Sequence, residues 1–127
     1  MDIYGSHIID LAHRPLNHGT LADADFSYEE DNPLCGDIIQ IDVVLDERQT
    51  VAQIAWQGDG CAISQASASL LTEEVKGMAL AELLAFSPER LLDLIGVPLS
   101  MARRKCGLLS LKVLQTGAAQ YLEQKKD

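Results

Sequence analysis

The three cysteines of this chain lie in three separate segments, each beside glycine or charged residues. Cys35 lies in the run Asn-Pro-Leu-Cys-Gly-Asp, Cys61 in Gly-Asp-Gly-Cys and Cys106 in Arg-Arg-Lys-Cys. Soft thiolates bind zinc and iron–sulfur clusters, and the carboxylate of Asp37, two residues after Cys35, is a harder ligand that exchanges more easily than sulfur. These residue types predict a metal site shared by three segments, with Asp37 as a candidate fourth ligand.

Two other interpretations of the cysteines compete with a metal site. A single free cysteine is usually a small buried hydrophobe, but the glycine and charged neighbours make a poor core pattern. A disulfide framework is disfavoured because the number of cysteines is odd and the N-terminal segment, with Asp2 and Asp10, does not resemble a signal peptide. Cysteine usage therefore predicts a reducing location in the cytoplasm.

Length and charge narrow the class of protein further. A chain of 127 residues with 47% hydrophobic content predicts one domain over residues 1–127, and it has no apolar run near the roughly 20 residues that span a bilayer. Residues 1–60 contain twelve acidic and two basic residues, a charge of −10, whereas residues 61–127 contain seven acidic and eight basic residues, a charge of +1. We therefore expect no membrane insertion and no nucleic-acid binding; the acidity either attracts a basic protein partner or serves solubility alone.

The only basic cluster directly precedes Cys106. Arg103, Arg104 and Lys105 could lower the pKa of the neighbouring thiol or receive an acidic partner. The alternative interpretation is that these three basic side chains are only the solvent-exposed start of a helix.

The hydrophobic periodicity predicts where the first two cysteine segments meet. A short helix is expected over residues 3–12 and an irregular connection over residues 14–34. Period-two alternation then predicts strands over residues 37–45 and 52–57, joined by a polar turn, with Trp56 as a core anchor. Because Cys35 precedes the first strand and Cys61 follows the second, an antiparallel hairpin brings these cysteines together.

Helices are predicted for the rest of the chain. The first covers residues 62–76 with Gly77 as its C-cap, which places Cys61 at a helix N-terminus where the dipole favours a thiolate. Short helices follow at 80–85 and 88–95, the second with Ser87 as N-cap. The last, over residues 101–124, starts close to Cys106 and is expected to bury the following side chains: Leu108, Leu111, Leu114, Ala118 and Leu122.

Four motifs together resemble the U-type iron–sulfur cluster assembly proteins, the IscU, SufU and NifU N-terminal group. They are the segments at Cys35 and at Cys61 continuing into Ala-Ile-Ser, the run Val-Lys-Gly ending at Gly77, and Arg-Arg-Lys-Cys at Cys106. The opening, with Tyr4 and His-Arg-Pro-Leu-Asn-His-Gly from His13, is also similar. The resemblance covers nearly the whole chain.

The resemblance implies a fold, a ligand set and partners. The fold is α+β, SufE/NifU-like, with a three-stranded antiparallel sheet covered by helices and the metal site at one exposed end; the third strand is expected within residues 22–30. The ligands are Cys35, Asp37, Cys61 and Cys106. A scaffold of this kind receives persulfide sulfur from a cysteine desulfurase, binds iron, builds a [2Fe–2S] cluster and transfers it to recipient apo iron–sulfur proteins. The resemblance favours a non-enzymatic carrier over an enzyme, with sulfurtransferase activity as the open alternative.

The alternative within the same family is a SufU-type protein, in which zinc occupies the site and persulfide sulfur is relayed. This chain departs from both patterns. Lys105 stands where IscU proteins have histidine, the segment from Leu99 to Arg103 does not match the IscU chaperone-recognition segment, and the SufU insertion between Cys61 and Cys106 is absent. A direct Lys105–metal bond is disfavoured because it needs a deprotonated amine.

Residue roles within the site remain partly open. Cys35 and Cys106 are both candidate persulfide acceptors, and a purely structural zinc module is disfavoured because such sites usually have four Cys or His ligands. His7, His13 and His18 are expected at the surface or in helix packing, with His13 and His18 as candidates for partner recognition.

Overall fold

The computed structural model describes residues 6–33 and 36–125. These described residues form three antiparallel strands and five helices, which confirms the predicted α+β class. In chain order the elements are α1 (Ser6–His13), β1 (Phe26–Asn32), β2 (Asp37–Leu45), β3 (Val51–Asp59), α2 (Ala62–Glu74), α3 (Leu80–Ala85), α4 (Pro88–Ile95) and α5 (Met101–Lys125).

The sheet has the strand order β1-β2-β3, with β2 in the centre. Ile41 pairs with Tyr28 on one side and with Trp56 on the other. Residues 39, 41 and 43 of β2 lie under the helices and are at most 1% exposed, as the alternation predicted. The opposite face holds Asp42, also as predicted. Its carboxylate is buried, and the Leu21 N–H and the Ser27 hydroxyl satisfy it by donating at 3.0 and 2.7 Å.

The third strand is β1, and it is longer at its C-terminal end than the interval 22–30 expected from the resemblance. It runs to Asn32, which pairs with Asp37, and the Gly36 N–H donates to the Asn32 carbonyl oxygen at 2.8 Å. Gly36 has a positive φ of 73°, which suits glycine at a tight turn. The connection predicted over residues 14–34 is therefore irregular only up to residue 25. Leu34 and Cys35, between β1 and β2 in the sequence, lie outside the described residues.

The helices follow the predicted order, with small differences at their ends. Helix α1 ends at His13, and the first residues predicted for it, 3–5, lie outside the described residues. Helix α2 ends at Glu74, so the prediction of Gly77 as its C-cap is wrong: Val75 caps the helix, and the Gly77 N–H donates instead to the Val51 carbonyl oxygen at 2.9 Å. The chain leaves the helix early because it pairs with the end of the sheet.

Helices α4 and α5 also match their predicted positions. Ser87 caps α4, and its side chain accepts the Arg90 N–H at 3.1 Å, as predicted. In α5, Leu111, Leu114 and Ala118 are buried, whereas Leu108 and Leu122 are only partly buried. Two glycines let this helix approach its neighbours: a Cβ at Gly107 would lie 3.1 Å from Ile95 and one at Gly117 would lie 3.0 Å from Phe26. No helix among the described residues is long and apolar enough to cross a membrane.

Trp56 is a core anchor, as predicted. Its ring is 1% exposed, and its indole N–H donates to the Leu16 carbonyl oxygen at 2.8 Å. The His18 ring meets it edge-on at 4.9 Å between centroids. His7 places its Nε2 2.7 Å from the Ile95 carbonyl oxygen. His7 and His18 therefore have packing contacts, and His13 is exposed at the end of α1.

Candidate metal centre

Three of the four predicted ligands come together at one end of the sheet. Asp37 is the first residue of β2, Cys61 is the N-cap of α2, and Cys106 lies in the second turn of α5. Their candidate ligand atoms, one carboxylate oxygen and two sulfurs, all lie within 4.8 Å of one another. The fourth, Cys35, lies outside the described residues, two positions before Asp37.

Asp37 is held in place by the start of α2. Its carboxylate is buried, and Oδ1 accepts the backbone N–H of Cys61 at 2.9 Å. The N–H groups in the first turn of a helix have no partner within the helix, so a carboxylate there is stabilised by a hydrogen bond and by the helix dipole. The other oxygen, Oδ2, lies 3.9 Å from Cys61 Sγ. The hydrogen bond thus leaves Oδ2 facing the sulfur.

Glycine makes this close approach possible. A Cβ at Gly60 would overlap Asp37 Oδ1 and lie 2.6 Å from Ser64 Oγ. A Cβ at Gly58 would overlap the carbonyl oxygen of Ile38 across the β2–β3 pair. Both close approaches depend on the absence of a side chain at these two glycines.

The two described cysteines differ in exposure. Both are free thiols. Cys61 is half-buried, whereas Cys106 is only 1% exposed. A cavity of about 300 Å³ is lined by Cys61, Ala102, Arg103 and Cys106. This cavity lies beside the start of α5 and borders both cysteines.

The basic cluster divides between two sides of α5. Arg103 lines the cavity with the cysteines. Lys105 is exposed and lines a separate groove of about 450 Å³ between β1 and α5, together with Lys112 and Glu30. There, Glu30 lies 2.6 Å from the ammonium of Lys112, and its hydrogen bond and charge raise the pKa of that lysine. Arg103 is thus the basic residue that borders the sulfurs, and Lys105 faces another groove.

Sequence reasoning missed one residue of this region, Ser64. It is 1% exposed, and its Oγ lies 3.9 Å from Cys61 Sγ. The available signal was its position three residues after the N-cap Cys61, because residues three apart on a helix are neighbours.

The described donor atoms suit a thiophilic metal. Two sulfurs and one carboxylate oxygen that converge within 4.8 Å match the ligand types of zinc and of iron–sulfur clusters, with Cys35 as the predicted fourth donor. The carboxylate is buried, and its hydrogen bond with the Cys61 N–H fixes its orientation. The residues present therefore fit such a group.

Comparison with known proteins identifies the family. The sequence profile described as "NifU-like N terminal domain" matches residues 3–127. The chain belongs to this family. This NifU-like chain therefore belongs with the U-type iron–sulfur cluster assembly proteins, as its motifs indicated.

Relatives of this NifU-like chain carry two different functional names. An alignment of 134 positions with "Zinc-dependent sulfurtransferase SufU" of Bacillus subtilis shows 34% identity and covers 92% of this chain and 90% of that protein. The chain is 39% identical over 85 residues to "Iron-sulfur cluster assembly scaffold protein IscU" of Streptococcus pyogenes, covering 67% of this chain and 52% of the relative, so that this match spans about half of the streptococcal protein.

Solved structures share the fold of this NifU-like chain. The crystal structure of a SufU protein from Fervidobacterium islandicum, described as a scaffold for the SUF system, superposes with a TM-score of 0.78 at 26% identity and covers 91% of this chain and 96% of that one. A NifU-like N-terminal structure from Brucella abortus, at 24% identity, gives a TM-score of 0.78 and covers 97% and 96% of the two chains. The second comparison establishes the fold alone.

Proposed function

We propose that this protein is an iron–sulfur cluster assembly scaffold that receives persulfide sulfur from a cysteine desulfurase, binds iron and builds a [2Fe–2S] cluster for apo-acceptor proteins. In this proposal Cys35, Asp37, Cys61 and Cys106 hold the iron and the cluster, which are cargo. The main observation that supports this proposal is that the candidate ligand atoms of Asp37, Cys61 and Cys106 lie within 4.8 Å of one another.

The mixed ligand set suits a site that releases what it binds. A carboxylate oxygen is a harder ligand than sulfur and leaves a soft metal more readily. Since Asp37 Oδ1 accepts the Cys61 N–H, the carboxylate stays oriented when Oδ2 detaches from a metal. The scaffold can therefore open one coordination position without rearranging its backbone.

Sulfur loading requires a thiolate that the donor can reach. The thiolate attacks the outer sulfur of the donor persulfide; a new S–S bond forms on the acceptor, the donor S–S bond breaks, and the donor cysteine leaves as a thiolate. Cys35 and Cys106 remain the proposed acceptors. Because Cys106 is 1% exposed, a donor would have to reach it through the cavity bordered by Ala102 and Arg103.

A second candidate function is zinc-dependent sulfur transfer. The near full-length similarity to a protein named as a zinc-dependent sulfurtransferase favours it, and three thiolates with one carboxylate also suit tetrahedral zinc. In this alternative the metal is a resident ion that holds the thiolates in place, and the protein relays sulfur without building a cluster. Both functions need reduced thiols and so fit the cytoplasm.

Metal and acid-labile sulfide analysis separates the two functions. The protein is purified anaerobically and analysed before and after incubation with a cysteine desulfurase, cysteine and ferrous iron. The scaffold function predicts about two irons and two sulfides per cluster, with any zinc displaced. Retained stoichiometric zinc without sulfide, together with faster desulfurase turnover, would instead establish the sulfur relay. Cys61→Ser is the negative control, and a protein that binds neither zinc nor iron refutes both functions.

A further inference from the structure

Ser64 is a buried hydroxyl beside the sulfur of Cys61. It lies in the first turn of α2 and is 1% exposed. The hydroxyl donates to the Cys61 carbonyl oxygen at 3.0 Å, and its Oγ is 3.9 Å from Cys61 Sγ. Among the described residues, the hydrogen bonds of this side chain therefore both involve Cys61.

The Ser64 hydroxyl and the Asp37 carboxylate border the same space beside Gly60. A Cβ at Gly60 would lie 2.6 Å from Ser64 Oγ and would overlap Asp37 Oδ1, so both oxygens border the space that glycine leaves free. The Cys61 thiol has two acceptors at 3.9 Å, Asp37 Oδ2 and Ser64 Oγ. The hydroxyl thus faces the sulfur from the side of α2.

We infer that Ser64 is a positioning residue for the metal centre, whose hydroxyl donates a hydrogen bond to the Cys61 sulfur once that sulfur binds a metal. The inference rests on the proposed metal binding at this site. A Cys61 sulfur that held a metal would be a thiolate, which accepts hydrogen bonds and donates none. A rotation of the Ser64 hydroxyl from the Cys61 carbonyl toward the sulfur would form this hydrogen bond across the 3.9 Å that separates Oγ from Sγ.

This hydrogen bond has measurable consequences for a bound metal. Hydrogen bonds to ligand atoms fix their orientation, and loss of such an outer partner typically weakens metal binding 10–100-fold. A hydrogen bond also withdraws electron density from sulfur, which tunes the electronic properties of thiolate-bound metals. Without it, the sulfur donates charge more readily, and the sulfur-to-metal charge-transfer band moves to lower energy.

Ser69 provides a matched control on the same helix. It is fully buried, and its Oγ accepts the backbone N–H of Leu16 at 3.0 Å. It is five residues further along α2 and ties the helix to the segment before β1. Ser69→Ala therefore removes a buried serine hydroxyl from α2 without touching the Cys61 sulfur.

The test uses Zn²⁺ and Co²⁺ as probes on the full chain. Zinc affinity is measured by chelator competition, the Co²⁺ charge-transfer band by absorption, and folding by circular dichroism. We expect Ser64→Ala to bind zinc about tenfold more weakly and to shift the Co²⁺ band to lower energy. Ser69→Ala should lower the melting temperature and leave zinc affinity and the band unchanged. Ser64→Thr, which keeps a hydroxyl, should bind zinc like the wild type.

Three results would overturn the inference. The first is wild-type zinc affinity and an unchanged Co²⁺ band in Ser64→Ala. The second is an equal loss in Ser69→Ala, which would assign the effect to general packing. The third is a loss in Ser64→Thr as large as in Ser64→Ala. If the wild type binds neither metal, the proposed function fails together with the inference, whereas normal wild-type binding with an unaffected Ser64→Ala overturns the inference alone.

Discussion

The backbone N–H of Cys61 donates to Oδ1 of Asp37 at 2.9 Å, across 24 positions of sequence. The carboxylate of a proposed metal ligand therefore also caps α2, since the Cys61 side chain makes no capping hydrogen bond itself. A ligand that serves as a cap is oriented before the metal arrives. Substitutions at Asp37 are therefore expected to change two properties: the stability of the protein without metal, and the rate at which the site releases a bound cluster.

The capping role of Asp37 predicts different stabilities for two substitutions. Asp37→Asn keeps an oxygen that can accept the Cys61 N–H. Asp37→Ala leaves this N–H without an acceptor and also leaves a buried cavity in place of the carboxylate. We expect the metal-free Ala variant to lose about 1 kcal/mol of unfolding free energy and the Asn variant to lose less. Urea denaturation with a chelator present measures both. Equal losses in the two variants would contradict the capping role.

The ligand role of Asp37 predicts slower release. When alanine replaces the exchangeable carboxylate, a bound cluster is held by thiolates alone, so we expect Asp37→Ala to retain a reconstituted cluster longer than the wild type. The measurement is the rate of cluster transfer to an apo-ferredoxin, followed by absorption. A cluster that leaves Asp37→Ala faster than the wild type is the opposite result and rejects the role given to this carboxylate.

Each thiolate is predicted to be required for metal binding. Cys35→Ser, Cys61→Ser and Cys106→Ser replace a soft thiolate with a hydroxyl that stays protonated at neutral pH, so we expect all three to lose stoichiometric zinc or iron. Metal content after anaerobic purification gives the result, and circular dichroism shows whether each variant is folded. Full metal content in any one folded variant removes that cysteine from the ligand set.

Gly60 is predicted to be a functional glycine. In Gly60→Ala the new methyl group overlaps Asp37 Oδ1 and crowds Ser64 Oγ, so the carboxylate must move and zinc affinity should fall by at least tenfold. Gly117→Ala is the control, because its methyl group would lie 3.0 Å from Phe26, in the packing of α5 on β1. Chelator competition and thermal melting are measured on both. The control should lose stability with unchanged affinity; similar affinities in both variants argue against the crowding.

A pH-dependent prediction concerns the turn between β2 and β3. The pKa of Asp46 is lowered from 3.8 chiefly because the Thr50 hydroxyl donates to its carboxylate, at 2.5 Å. In Thr50→Val the pKa of Asp46, followed by NMR titration, should rise toward 3.8. A lowered pKa stabilises the folded state above the unfolded-state pKa, and this contribution disappears as the pH falls through the folded-state value. The wild type should therefore lose its advantage over Thr50→Val in strong acid, and an unchanged Asp46 pKa would contradict the assignment.

Local sequence patterns predicted most of the elements for simple reasons. The alternation along β2 reports which side chains face the core, and Ser87 before Pro88 marks the start of α4. The pattern was weaker for β1, whose partly exposed residues follow an irregular segment. The end of α2 was predicted too late because Gly77, a typical C-cap residue, bonds to β3 instead. Such a tertiary contact leaves no trace in local periodicity.

The candidate site divides in the same way. The sequence alone predicted the candidate ligand types, because the cysteine segments contain soft thiols together with a carboxylate that exchanges more easily. The alternating pattern of two adjacent strands also predicted a hairpin that places the segments of Cys35 and Cys61 side by side. Tertiary structure alone decided that Cys106, far along the chain, lies within 4.8 Å of Asp37 and Cys61. Its place depends on how α5 packs on α2 and α4 at Gly107. Side-chain volumes from distant segments set that approach, as they set the burial of Asp37 and Ser64, and periodicity within one segment carries no information about them.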